Sequence, residues 1–157
     1  MEQMVRLDRI LRRLVATAYP ELKRLRIAIA FAPLADDTLL RYDCADGRFS
    51  ISVGDLLREA PIRVLEGGIA HELAHLVRDS ALAPRLLARA YGSYDRSRFY
   101  RARDERATDR LAIERGLGPQ LLAFLVYARS RGYRFTPEHG LHTREIAALC
   151  ARSRTAA

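Results

Sequence analysis

His71, Glu72 and His75 stand in an H-E-x-x-H spacing within Gly67-Gly68-Ile69-Ala70-His71-Glu72-Leu73-Ala74-His75-Leu76-Val77. On an α-helix, positions four apart lie only about 40° apart around the axis. Such a helix presents both imidazoles to a single cation. Glu72, rotated about 100° from His71, can miss the cation and still reach a water bound to it. This is the geometric reason the spacing recurs in zinc hydrolases. A catalytic zinc takes three protein ligands and keeps one position open. Zn2+ is therefore the expected cofactor, with His71 and His75 as ligands and Glu72 as the catalytic base.

The neighbouring residues suit that chemistry. Val64, Leu65, Ile69, Leu73, Leu76 and Val77 make the segment apolar, so the helix should be deeply packed. Gly67, Gly68, Ala70 and Ala74 leave room for another element to come close. Two histidines and a glutamate in such surroundings need partners, because unpaired buried polar groups are costly.

A third ligand must come from elsewhere. Glu105 and Asp109 sit four apart in Arg103-Asp104-Glu105-Arg106-Ala107-Thr108-Asp109-Arg110, a helical segment. From a crossing helix, Glu105 can reach the metal and Asp109 the far ring nitrogen of a histidine ligand, fixing its tautomer. The competing reading is a solvated ion-pair face, since Arg101, Arg103, Arg106 and Arg110 surround these acids. Asp79 is a further candidate, and His139 and His142 lie far downstream. A tetrahedral oxyanion needs an additional donor. Tyr133, Arg144 and His142 are candidates, with His142 preferred.

The elements that must position these groups follow from hydrophobic periodicity. Residues 3–18 read as an amphipathic helix stopped before Pro20, with Val5, Leu7, Ile10, Leu11, Leu14, Val15 and Ala18 on one face. Residues 24–31, 38–44 and 48–53 alternate as strands, with turns at Asp36-Asp37 and Asp46-Gly47. The last strand is expected at a sheet edge, where it can pair with an extended substrate. A short helix over 55–59, a long one from Pro61 to Asp79 and another from Pro84 to Tyr91 come next, then a polar loop over 92–97. Helices over 98–115 (ended by Gly116), 119–131 (ended by Gly132) and 143–151 complete the chain. The expected class is α+β: a small, mainly antiparallel sheet packed on several helices. One domain over 1–150 with a frayed tail over 151–157 is the expected organisation.

The 157 residues are 49% apolar and carry a formal charge of +8, almost all arginine, since Lys23 is the only lysine. The arginines are scattered rather than blocked, so a nucleic-acid partner is allowed but not indicated. Cys44 and Cys150 form no C-x-x-C, which removes zinc-ribbon and thioredoxin-like readings. The first residues carry charges and no apolar core, and no apolar run approaches a membrane span. A cytoplasmic protein without membrane insertion is expected.

The H-E-x-x-H helix, followed about thirty residues later by Glu105-x-x-x-Asp109, resembles the gluzincin peptidases. The likeness is to the HtpX and CAAX prenyl protease group, and above all to soluble minigluzincins that keep only its catalytic core. It covers residues 48–115. The resemblance implies zinc ligands at His71, His75 and Glu105, the base at Glu72 and a supporting role for Asp109. Family members usually carry Ala where this chain has Thr108, and the group's transmembrane helices are not found here. A weaker likeness, in Phe49-Ser50-Ile51-Ser52-Val53, is to SprT-like peptidases that act on DNA-crosslinked proteins and use a third histidine. The expected function is zinc-dependent hydrolysis of peptide bonds in a peptide or protein substrate, by Glu72-assisted attack of the metal-bound water. The rivals are a SprT-like DNA-associated protease and an inactive zinc-containing binding module. Glu72 argues against the binding module, since a closed structural zinc site has no use for an acid there, and the acidic segment around Glu105 argues against the SprT-like reading.

Overall fold

A computed structural model describes residues 2–35, 38–45 and 48–155. The turns expected at Asp36-Asp37 and Asp46-Gly47 lie outside the described residues. The chain opens with α1 (Glu2–Thr17), whose Leu7, Ile10, Leu11 and Leu14 are buried at helical spacing while Val5 stays exposed. Pro20, whose fixed φ suits a first helical turn, starts a 3-10 turn over Pro20–Arg24. The strands are β1 (Ile27–Ala32), β2 (Leu40–Ala45) and β3 (Arg48–Gly54).

The sheet order is β1-β3-β2. β2 pairs antiparallel with β3, Leu40 opposite Val53, and β1 pairs parallel with β3, Ile27 opposite Phe49. The sheet is thus mixed, not mainly antiparallel, and β3 is its centre rather than an edge. The reason is connectivity. The chain reverses between β1 and β2 and again between β2 and β3, so β1 and β3 run the same way. β3 then inserts between its two predecessors, and β2 serves as the crossover that a parallel pair requires.

The sheet's inner face carries Ile29, Ile51, Val53, Leu40 and Tyr42, packed on the core. That core centres on α2 (Ile62–Ser80), whose Leu65, Ile69, Ala70, Leu73, Ala74 and Leu76 are almost wholly buried. The segment over 55–59 is only a 3-10 turn, Asp55–Leu57, before Pro61 opens α2. α2 packs against α5 (Gly118–Ser130) so closely at Gly67 that a Cβ there would run into the Gln120 carbonyl.

α3 spans Pro84–Arg96 and α4 spans Arg98–Ala112. The loop expected over 92–97 is therefore helix up to Arg96. Gly92 costs a helix interior about 1 kcal/mol, but Tyr91 and Tyr94 anchor this turn through their hydroxyls to Asp79 and Glu105. The break falls at Ser97, whose Oγ accepts from the Tyr100 N–H and caps α4. α4 passes through a wide turn over Ile113–Leu117, where Gly116 has φ 83°, into α5. Thr136 caps a 3-10 turn over Pro137–His139, and α6 (Thr143–Thr155) continues into the segment expected to fray. No helix among the described residues is long and apolar enough to cross a membrane.

Candidate metal centre

α2 and α4 cross with an unusual face between them. The buried residues of α4 are Glu105, Thr108, Asp109 and Ala112, at i, i+3, i+4 and i+7. Its inward stripe is polar, while Arg103 and Arg110 stay outside. Glu105 is 7% exposed, Thr108 0% and Asp109 2%, which rules out a solvated ion-pair face for these acids. Opposite them on α2, His75 and Glu72 are buried and His71 is half-buried. One ligand atom each from His71, His75 and Glu105 lies within 4.8 Å of the others, so this cluster could hold a metal ion.

The hydrogen bonds decide how the rings face. His71 Nδ1 lies 2.9 Å from Asp109 Oδ1, and a carboxylate can only accept, so this nitrogen carries the hydrogen. Asp109 is itself held by the Leu141 N–H, 2.6 Å from its Oδ2. His75 Nδ1 lies 3.2 Å from Thr108 Oγ1. That hydroxyl donates to the Asp104 carbonyl at 3.0 Å and accepts from Arg78 Nη1 at 2.7 Å. Its one hydrogen is spent, and its second lone pair takes the His75 Nδ1–H. Arg78 also grips the Asp104 carboxylate at 2.7 Å, and Tyr42 from β2 stacks on the His75 ring.

Both Nε2 atoms then point at one carboxylate. His71 Nε2 is 3.0 Å from Glu105 Oε2, and His75 Nε2 is 3.3 Å from Glu105 Oε1. With each Nδ1 hydrogen committed, a neutral ring offers Glu105 only a lone pair. Positive charge, as protons or as a cation, is required between these three groups. The electrostatics agree. Burial alone would depress His71, but hydrogen bonds to Asp109 and Glu105 outweigh it and raise its pKa well above the ordinary value. Glu105 would be raised by burial, but His75 and His71 hold it well below the carboxylate range. The donor set of two imidazoles and one carboxylate fits zinc.

Glu72 lies beside the cluster without joining it. Burial pushes its pKa up, and the neighbouring His71 and His75 partly counter this. It lines a cleft of about 1030 Å³ that opens between β2, α3 and α5 and is lined by His71, His75 and Glu105 as well. Leu121, Phe124 and Phe135 form an apolar side of that cleft.

Other sequence candidates fall differently. Asp79 accepts from the Tyr91 hydroxyl at 3.0 Å, outside the metal cluster. His142 is exposed, does not line the cleft and donates its backbone N–H to Glu145. Arg144 is likewise exposed, whereas Tyr133 and His139 do line the cleft. Neither His139 nor His142 joins the cluster, so a third histidine ligand of the SprT-like kind is missing. The sequence reading overlooked Tyr94, whose hydroxyl donates to Glu105 Oε1. It also overlooked Arg78 and the use of Thr108. The one available signal was Thr108 itself, a hydroxyl where the resembled family usually has Ala. Comparison with protein-family profiles, with curated proteins and with solved structures found no match to this chain.

Proposed function

We propose that this chain is a zinc-dependent endopeptidase of gluzincin type. The observation that carries the reading is the convergence of two imidazole Nε2 atoms on Glu105 while both Nδ1 atoms are engaged from behind. His71, His75 and Glu105 would hold the ion, and Asp109 and Thr108 would fix the ring orientations. Zinc bound there supplies Lewis acidity, which makes a water nucleophilic near neutral pH and polarises a carbonyl.

The protein's own groups do the rest. Glu72 takes the proton from the attacking water and passes it to the leaving amine. The Tyr94 hydroxyl lines the cleft and, on turning its hydrogen from Glu105 to a bound substrate, would take over the donor role first sought in His142 and steady the oxyanion. Burial, then the Glu105 charge, raise its pKa, so it stays protonated. Residues 38–44 line the cleft, and among the described residues β2 pairs only with β3. The open edge of β2, not β3, is the place for an extended substrate.

Metal analysis followed by Glu72→Gln tests the reading. The expected result is near-stoichiometric zinc in both proteins, with peptidase activity in the wild type alone. Purified protein that takes up no zinc, or activity that survives Glu72→Gln, overturns it.

A further inference from the structure

A second groove, of about 560 Å³, shares no residue with the metal cleft. Leu11 and Val15 of α1, Leu22 and Leu25 of the connection, Ile27 of β1 and Phe49 of β3 give it an apolar floor. Arg12, Lys23, Arg26 and Arg48 also line it, against a single acid, Asp8, which is paired with Arg12 at 2.8 Å. Lys23, Arg26 and Arg48 have no carboxylate partner among the described residues, in a chain of net charge +8.

The groove runs along the start of an open sheet edge. β1 pairs with β3 and with no other strand among the described residues. The Phe49 N–H donates to the Arg26 carbonyl, so residue 26 and, by alternation, Ala28 and Ala30 direct their backbone groups at β3. The N–H and C=O groups of Ile27, Ile29 and Phe31 face the other way, toward the open edge.

We propose that this edge and groove bind an extended peptide segment of alternating acidic and apolar residues, added beside β1 as a fourth strand. The three features call for one occupant. A strand edge wants a backbone, the floor wants apolar side chains, and the cations want carboxylates. The same cations repel a second copy of this edge, so the site is closed to self-pairing and open to an acidic chain. A nucleic acid would use the charges but neither the edge nor the floor, and it would find only Phe49 to stack on. The proposal is independent of the zinc chemistry, because binding here needs no turnover.

The test uses the full chain carrying Glu72→Gln, so that cleavage cannot interfere, and a fluorescent peptide alternating Glu with Val. Anisotropy should give saturable binding that weakens as salt rises. Arg26→Glu with Arg48→Glu should raise Kd at least about tenfold, since each reversal turns an attraction for the peptide's carboxylates into a repulsion. Both side chains are exposed, so an unchanged melting temperature and zinc content will show that the fold is intact. N-methylating one alternate set of peptide amides should abolish binding, and methylating the other set should leave it. Binding that ignores N-methylation, a lysine-for-glutamate peptide that binds as well, displacement by laurate alone, or preference for a single-stranded oligonucleotide would each overturn the proposal.

Discussion

Replacing Gly140 by Ala should weaken metal binding, although Gly140 touches no ligand. Its backbone has φ 106° and ψ −146°, a region essentially confined to glycine. An alanine held there costs about 1–3 kcal/mol. Its Cβ would also overlap Asp109 Oδ2, the oxygen that accepts the Leu141 N–H at 2.6 Å. A hydrogen bond to a charged group is worth about 1.5–3 kcal/mol. The total, about 2.5–6 kcal/mol, is a large share of a domain's stability of roughly 5–15 kcal/mol. The displaced carboxylate can no longer hold His71 Nδ1, and loss of such a support lowers metal affinity about 10–100-fold.

Urea unfolding measures the first effect, and chelator competition at low temperature measures the second on folded protein. The decisive comparison is a double-mutant cycle with Asp109→Ala. If Gly140 acts through Asp109, the affinity loss from Gly140→Ala should disappear once Asp109 is already gone. Additive losses in zinc affinity, or a folded Gly140→Ala protein that binds zinc as the wild type does, would refute the coupling.

Three further outcomes are expected. Glu105→Gln should reduce zinc affinity by more than the ~10–100-fold of an outer partner; competition titration with unchanged affinity would move the third ligand elsewhere. Tyr94→Phe should keep its zinc and lower kcat by ~10²–10³, the usual cost of one oxyanion donor, and an unaltered kcat would remove Tyr94 from the reaction. Burial, opposed by the Tyr91 hydrogen bond, raises Asp79 from 3.8 to about 6. The folded state therefore holds this proton more tightly than the unfolded chain, and its contribution to stability is lost as pH rises from about 4 to about 6. Asp79→Asn should flatten that part of the stability profile, and urea midpoints with the wild-type slope would contradict the assignment.

The centre was legible where local spacing sets geometry. His71, Glu72 and His75 share one helix, and Glu105 and Asp109 share another, so helical period alone placed them. The crossing of the two helices was inferred from zinc's need for a third ligand and is realised through a polar stripe on α4. What local sequence could not convey was strand order, since alternation is the same in a central strand and an edge strand. That is why the pattern over 48–53 does not distinguish the edge it suggests from the central place β3 holds. The Gly92 turn read as loop because the hydroxyl anchors that hold it helical are tertiary. His142 misled for a related reason. The 3-10 turn at Pro137–His139 leaves His139, three residues earlier, lining the cleft instead.

A divalent ion would meet the charge balance of this arrangement at a single point. Asp104 is matched by Arg78, which leaves Glu72, Glu105 and Asp109 around two imidazoles. Burying three carboxylates with two neutral rings would be prohibitive. Protons on the rings can supply the same charge, each Nε2–H donating to its own Glu105 oxygen, but they leave it on two separate rings. A dication between His71, His75 and Glu105 supplies the same two charges at a single point, uses each Nε2 lone pair and leaves the Asp109 and Thr108 contacts intact. Binding should therefore release protons to buffer, including the one that Asp109 and Glu105 hold on His71. Calorimetry in buffers of different ionisation enthalpy counts them. A proton count that stays at zero below pH 6 would mean that the ion does not replace a proton on His71, and the assignment of that ring as a ligand would fail.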